Sequence, residues 1–135
     1  MSTKRSLADF IGAWDITRDI IPANGPRAVF AGQGVWTVSA TGADYAETGI
    51  LTLPDAAPMT AERRYVWGHD LSVYFDDGRF FHRVPAHGGP TTHFCDPDTY
   101  DVSYNFAEWP AFAVSYTVYG PRKDYVMHSQ YSKAS

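Results

Sequence analysis

The sequence predicts an all-β domain, a closed antiparallel up-and-down barrel of about ten strands with one short N-terminal helix. Three observations carry this. Aromatic residues make up 16% of the 135 positions, and aromatic rings favour pleated, half-buried surfaces. Ten short runs of alternating or β-branched character follow one another, with turn chemistry between each and the next. Strands joined in this way leave two raw edges unless the sheet curls round and closes.

Ser6 is placed to start a single helical turn over Leu7, Ala8, Asp9, Phe10 and Ile11. Asp9 stands three residues on, at the reciprocal position of a capping box, and Gly12 stops the turn. The predicted strands are Trp14–Ile20, Ala28–Ser39, Tyr45–Leu53, Thr60–Trp67, Leu71–Phe75, Arg79–Val84, Thr91–Cys95, Tyr100–Phe106, Phe112–Tyr119 and Asp124–Tyr131. Between them lie pairs such as Thr41-Gly42, Asp77-Gly78, Gly88-Gly89 and Gly120-Pro121, where glycine supplies positive φ and proline presets φ.

Two hairpins fix which side chains share a face. Asp77-Gly78 fits a two-residue type I′ turn, setting Phe75 across from Phe80, Val73 from His82 and Leu71 from Val84. His82 then faces inward, while Ser72, Tyr74, Phe81 and Arg83 face out. With Gly120 to Lys123 as the last loop, Val118 faces Tyr125, Tyr116 faces Met127, Val114 faces Ser129 and Phe112 faces Tyr131. That apolar set is the inside face, and His128 falls on the outside. Tyr100, Val102, Tyr104 and Phe106 alternate inward on their own strand.

The chain reads as one domain over residues 1–135. A net charge of −4 gives no electrostatic reason to expect nucleic acid or an anionic membrane. Cys95 stands alone, so neither a disulfide framework nor a cysteine-based zinc site is expected. Met1 to Phe10 lacks the apolar core of a signal peptide, and no run reaches membrane-spanning length, so the expected location is cytoplasmic.

A closed barrel has an interior, and here it is lined by tyrosines and a few cations. Arg63, Tyr65 and Trp67 share one strand face, and Arg18 shares another with Trp14 and Ile16. A buried arginine must be paired or must await an anion; Glu47, on the strand before, is the expected partner of Arg63. The candidate ligand-facing set is Arg63, Tyr65, Trp67, His82, His93, Tyr100, Tyr104, Tyr116 and Tyr125. His82, His93 and His128 lie on separate strands without a metal-binding spacing, so no metal and no cofactor are expected. His93 and Cys95 share a face, but alternate strand residues stand about 6.5–7 Å apart, too far for a base to activate the thiol directly.

The Phe10-x-Gly12-x-Trp14 opening after a short helix, with basic residues near the final hairpin, resembles the closure of calycin-type barrels. That group includes lipocalins, fatty-acid-binding proteins and nitrobindin-like proteins. The resemblance implies that Arg122 or Lys123 covers the Trp14 ring as a closing cation. Over nearly the whole chain, Ala61 to Trp67, Phe75 to His82, His93 to Cys95 and Gly120 to Tyr125 resemble a bacterial domain family of uncharacterised function. It implies a lipocalin-like barrel and no particular activity.

Three functions fit. The first is an intracellular barrel binding a small hydrophobic or amphipathic ligand, anionic in the version the arginines favour. The second is a lyase or isomerase acting on a small acid in the same cavity. The third is a structural domain, a homodimer through outward aromatic residues such as Tyr74 and Phe81.

Overall fold

A computed structural model describes residues 4–134; Met1 to Thr3 and Ser135, the ends of the predicted domain and the start of the N-terminal segment read above, lie outside them. Helix α1 (Leu7–Phe10) precedes β1 (Gly12–Pro22), β2 (Ala28–Ser39), β3 (Gly42–Thr52), β4 (Met59–Gly68) and β5 (Ser72–Phe75). Then come β6 (Phe80–Arg83), β7 (Gly89–Cys95), β8 (Asp98–Asn105), β9 (Phe112–Tyr119) and β10 (Asp124–Lys133). All neighbours pair antiparallel, in the order β6-β5-β4-β3-β2-β1-β10-β9-β8-β7. The first and last strands join as expected, with Trp14 opposite Lys133 and Pro22 opposite Tyr125.

The barrel is nearly closed. Its remaining seam lies between β6 and β7, which stand side by side without a ladder between them. Rings bridge the gap instead: His93 of β7 lies 5.8 Å from Phe80 and 5.9 Å from Phe81, centre to centre. No helix among the described residues is long and apolar enough to cross a membrane.

One end of the barrel is plugged. The Asp9 carboxylate accepts the Ser6 N–H at 2.9 Å and starts α1, which carries Phe10 into the barrel end. Phe10 is fully buried, 5.1–5.6 Å from the rings of Trp67, Trp109, Trp36 and Phe112. Gly12, at φ +122°, turns the chain from the helix into β1. Trp14 then donates its indole N–H to the Phe10 carbonyl at 2.8 Å.

The cation over Trp14 is Lys133, at 4.2 Å from the ring, and not Arg122 or Lys123. The β1–β10 register is the reason. It sets Lys133 beside Trp14 and puts the β9–β10 turn beside Pro22, eight residues or about 26 Å away. Arg122 is exposed at that far end.

The last hairpin has the predicted register, residue for residue. The β5–β6 hairpin keeps the predicted Val73–His82 and Leu71–Val84 positions but not the predicted turn. Its loop holds three residues, Asp76, Asp77 and Gly78, closed by Phe75 N–H to the Arg79 carbonyl, with Gly78 at φ +93°. Phe80 therefore opposes Tyr74, and Phe81 bulges before Val73 and His82 come into line. Phe81 turns inside, 1% exposed, and Phe80 turns out, 46% exposed, the reverse of the expectation. Tyr74 is half-buried against Phe80, so the outward Tyr74–Phe81 pair does not exist. Strand β5 begins one residue late because Leu71 sits at φ +69°.

Candidate ligand-binding site

The polar interior is built on β1, β3 and β10. Arg18 of β1 reaches across β2 to Glu47 of β3, pairing its two terminal guanidinium nitrogens with both carboxylate oxygens at 2.7 and 2.8 Å. Gly34 of β2 leaves room for Tyr45 and Ile16, since a Cβ there would lie 2.6 Å from the Tyr45 hydroxyl and 3.0 Å from Ile16. Arg18 also donates to Ser129 at 2.6 Å, and Glu47 accepts from the hydroxyls of Tyr45 and Tyr131. Burial alone pushes the Glu47 carboxyl up, but the Arg18 hydrogen bonds and charge, then Tyr45, hold it below the usual carboxylate range. Burial pushes the Tyr45 and Tyr131 phenols well up, so both remain protonated.

Arg63 is thereby left over. It stands opposite Glu47 in the β3–β4 register, as the sequence implied, but Arg18 has taken both carboxylate oxygens. Arg63 instead donates to the Met127 thioether at 3.5 Å, and among the described residues it makes no ion pair. Burial lowers its pKa, yet the phenols of Tyr65 and Tyr116 and the Glu47 carboxylate outweigh burial and the Arg18 charge, so it stays charged.

Arg63, Tyr65, Trp67, His82, Tyr104 and Tyr116 all line one interior cavity. Trp36, Tyr45, Glu47, Arg18 and Tyr131 complete much of its wall. Its free volume is about 30 Å³, enough for about two waters. Arg63 and Tyr65 also line an open groove of about 460 Å³ at the mouth, with Phe75, Asp77 and Arg79, so the two spaces meet at these side chains.

The other expected residues stand apart from the cavity. Tyr100 is buried and accepts a hydrogen bond from Lys123 at 2.9 Å. Tyr125 is half-buried beside Pro22 at the mouth end. His93 and Cys95 are half-buried on the same side of β7, with His93 at the seam. Among the described residues no group of three His, Cys, Asp or Glu converges to hold a metal ion.

His82 sits at the plugged end, level with Val73 and Trp67 in the ladder. One ring nitrogen, Nε2, lies 2.8 Å from the Tyr104 hydroxyl, and Nδ1 has no partner. Burial, helped by nearby His93, drives its pKa down to about 3, so the imidazole is neutral at physiological pH. The indole N–H groups of Trp36 and Trp67 are also buried without a partner.

A model of a family of unknown function, DUF6314, matches residues 10–133. The chain belongs to the DUF6314 family. No functionally curated protein matches it. Among solved structures, the DUF6314 barrel is similar to the S-type phycobiliprotein lyase CPES from Guillardia theta, with a TM-score of 0.58 at 9% identity. That likeness covers 96% of this chain and 92% of the lyase, and at such low identity it shows the fold alone.

Sequence reasoning missed the wall contributed by Trp36 and Tyr45, placed Tyr131 inside without naming it a site residue, and misassigned the partner of Glu47. A signal for both exists in Gly32-Gln33-Gly34-Val35-Trp36, where glycines at alternate inward positions leave room for side chains from the strands on either side.

Proposed function

We propose that this DUF6314 barrel binds a small amphipathic anion, its acid group seated on Arg63 and its apolar part against the aromatic wall. The observation that carries this reading is the unpaired Arg63. Glu47 is the one carboxylate lining the interior among the described residues, and Arg18 consumes it, so the cavity wall carries one cation in excess. A guanidinium out of water without a counter-ion is costly, and a bound carboxylate or phenolate recovers that cost through paired hydrogen bonds.

The free volume of about 30 Å³ sets a condition. Pockets for drug-sized ligands span roughly 300–1,000 Å³. The ligand body therefore lies partly in the mouth groove or pushes the wall back. The wall best able to give way is the β5–β6 hairpin, with strands of four residues each and no ladder to β7. It carries Phe75 and Phe81, whose rings stack 4.6 Å apart and fill the space beside Tyr65. The fold shared with a phycobiliprotein lyase supports a barrel that handles a small molecule, by analogy only. A cytoplasmic setting belongs to this proposal, supported by the free thiol of Cys95.

The His82–Tyr104 pair favours a second reading, a lyase or isomerase in which Arg63 fixes an acid and His82 exchanges a proton. A histidine with a pKa of about 3 is a weak base at neutral pH, which places simple binding ahead.

Native mass spectrometry of freshly purified protein, with titration of 8-anilinonaphthalene-1-sulfonate, tests the binding reading. A retained small mass or saturable probe binding that Arg63→Met weakens at least tenfold is the expected result. Absence of both, or binding indifferent to Arg63→Met, overturns it.

A further inference from the structure

Among the described residues, five buried side-chain polar atoms lack a hydrogen-bond partner, and three of them belong to residues lining the one interior cavity. They are Trp36 Nε1, Trp67 Nε1 and His82 Nδ1, on side chains only 3%, 5% and 2% exposed. Buried polar groups are almost always satisfied, so three unsatisfied ones around one space call for a common partner. The three also share a level. Trp67 pairs with Val73 and Val73 with His82, while the Trp36 ring lies 5.3 Å from that of Trp67. This level is the plugged end, since Phe10 packs 5.1 Å from the Trp67 ring.

An indole N–H only donates, so whatever meets Trp36 and Trp67 must offer a lone pair. Arg63 and Trp67 stand four residues apart on the same inward face of β4, about 13 Å along the strand. Between them Tyr65 presents an aromatic surface, stacked on Phe81 at 5.9 Å and 29°.

Resting on the reading of Arg63 as an acid anchor, we infer that the ligand is bipolar: an acid at the mouth, an apolar middle, and a neutral carbonyl or hydroxyl oxygen roughly 10 Å deeper. That oxygen accepts from the indoles of Trp36 and Trp67 beside His82. The free space of about 30 Å³ admits the oxygen alone, so the apolar middle enters as the β5–β6 hairpin gives way. A ligand oxygen there accepts from the indoles, whereas a methyl group in the same place strands the donors.

The experiment is isothermal titration of the full chain with decanoate, 9-methyldecanoate and 9-oxodecanoate, which share the acid and differ at the deep end. The oxo acid is expected to bind at least tenfold more tightly than its 9-methyl counterpart, and Trp67→Phe, which keeps a ring and removes the N–H, is expected to shrink that ratio. Trp36→Phe is the parallel variant if Trp67→Phe folds poorly. The wild-type series decides alone if neither folds. Equal affinities for all three, each weakened by Arg63→Met, overturn the deep oxygen site and leave the anion reading standing. No binding of any of the three at millimolar concentration overturns both.

Discussion

Arg18 holds Glu47 with two hydrogen bonds of 2.7 and 2.8 Å, across the full width of an intervening strand and out of contact with solvent. Breaking such a pair from one side leaves an uncompensated buried charge, at a cost of roughly 3–5 kcal/mol. Glu47→Gln is therefore expected to lower stability by about that much in urea unfolding, and Arg18→Met by less, because Arg63 stands opposite Glu47 and still offsets its charge. Arg18→Met combined with Glu47→Gln should cost less than the sum of the two, because neither member of the pair is left behind without the other. Additive losses would show that the pair is not coupled.

The same pair makes the fold acid-sensitive in a defined direction. Glu47 titrates below its ordinary value of 4.5 in the folded state, so on acidification the unfolded chain takes up its proton first. The stabilisation is complete above that value and is lost as pH falls through the lower folded one. His82 acts in a higher window. Its pKa falls from 6.5 unfolded to about 3 folded, so its contribution is complete above 6.5 and fades as pH drops toward 3. His93, whose pKa burial also lowers, adds a weaker effect of the same sign. Between pH 7 and 5 the folded state should lose about 2 kcal/mol. His82→Gln should flatten most of that slope, and an unchanged slope would show that His82 is not the group responsible.

The β5–β6 bulge separates two adjacent phenylalanines. Phe81 is buried against Phe75, Tyr65 and Tyr100, so Phe81→Ala is expected to cost about 3–5 kcal/mol. Phe80 lies on the outer face, and Phe80→Ala should cost under about 1 kcal/mol. Chemical denaturation of the two variants side by side checks the bulge. A larger loss from Phe80→Ala than from Phe81→Ala would restore the two-residue turn read from Asp77-Gly78.

The strands, their order of burial and the β9–β10 register were legible because alternation and turn residues are local signals. Ala28–Ser39 and Phe112–Tyr119 match the observed strands at both ends. What escaped was non-local. A bulge depends on how Gly78 closes its turn, and Asp-Gly is compatible with either loop length. The cation on Trp14 depends on a register between the first and last strands, which places Lys133 there and Arg122 at the opposite end. Arg18, Arg63 and Glu47 were all read as inward-facing or pairing residues. Which arginine takes the carboxylate depends on side chains meeting across β2, a contact between non-adjacent strands that alternation does not encode.

Arg63 provides the sharpest test, because stability and binding should move apart. Arg63 is half-buried against Met127 and has no ion pair, and its charge is held by Tyr65, Tyr116 and the more distant Glu47 carboxylate. Arg63→Met keeps the apolar stem and removes the charge, so the stability of the free protein should change by under about 1 kcal/mol. Anionic probe binding should meanwhile fall at least tenfold. Were Arg63→Met to destabilise the barrel by about 3 kcal/mol, the guanidinium would be a structural element with a protein partner, and its role as a waiting anion site would be gone. Ionic strength gives an independent reading of the same charge. Because Arg63 also lines the open mouth groove, anionic probe affinity should weaken with salt, and Arg63→Met should remove most of that dependence.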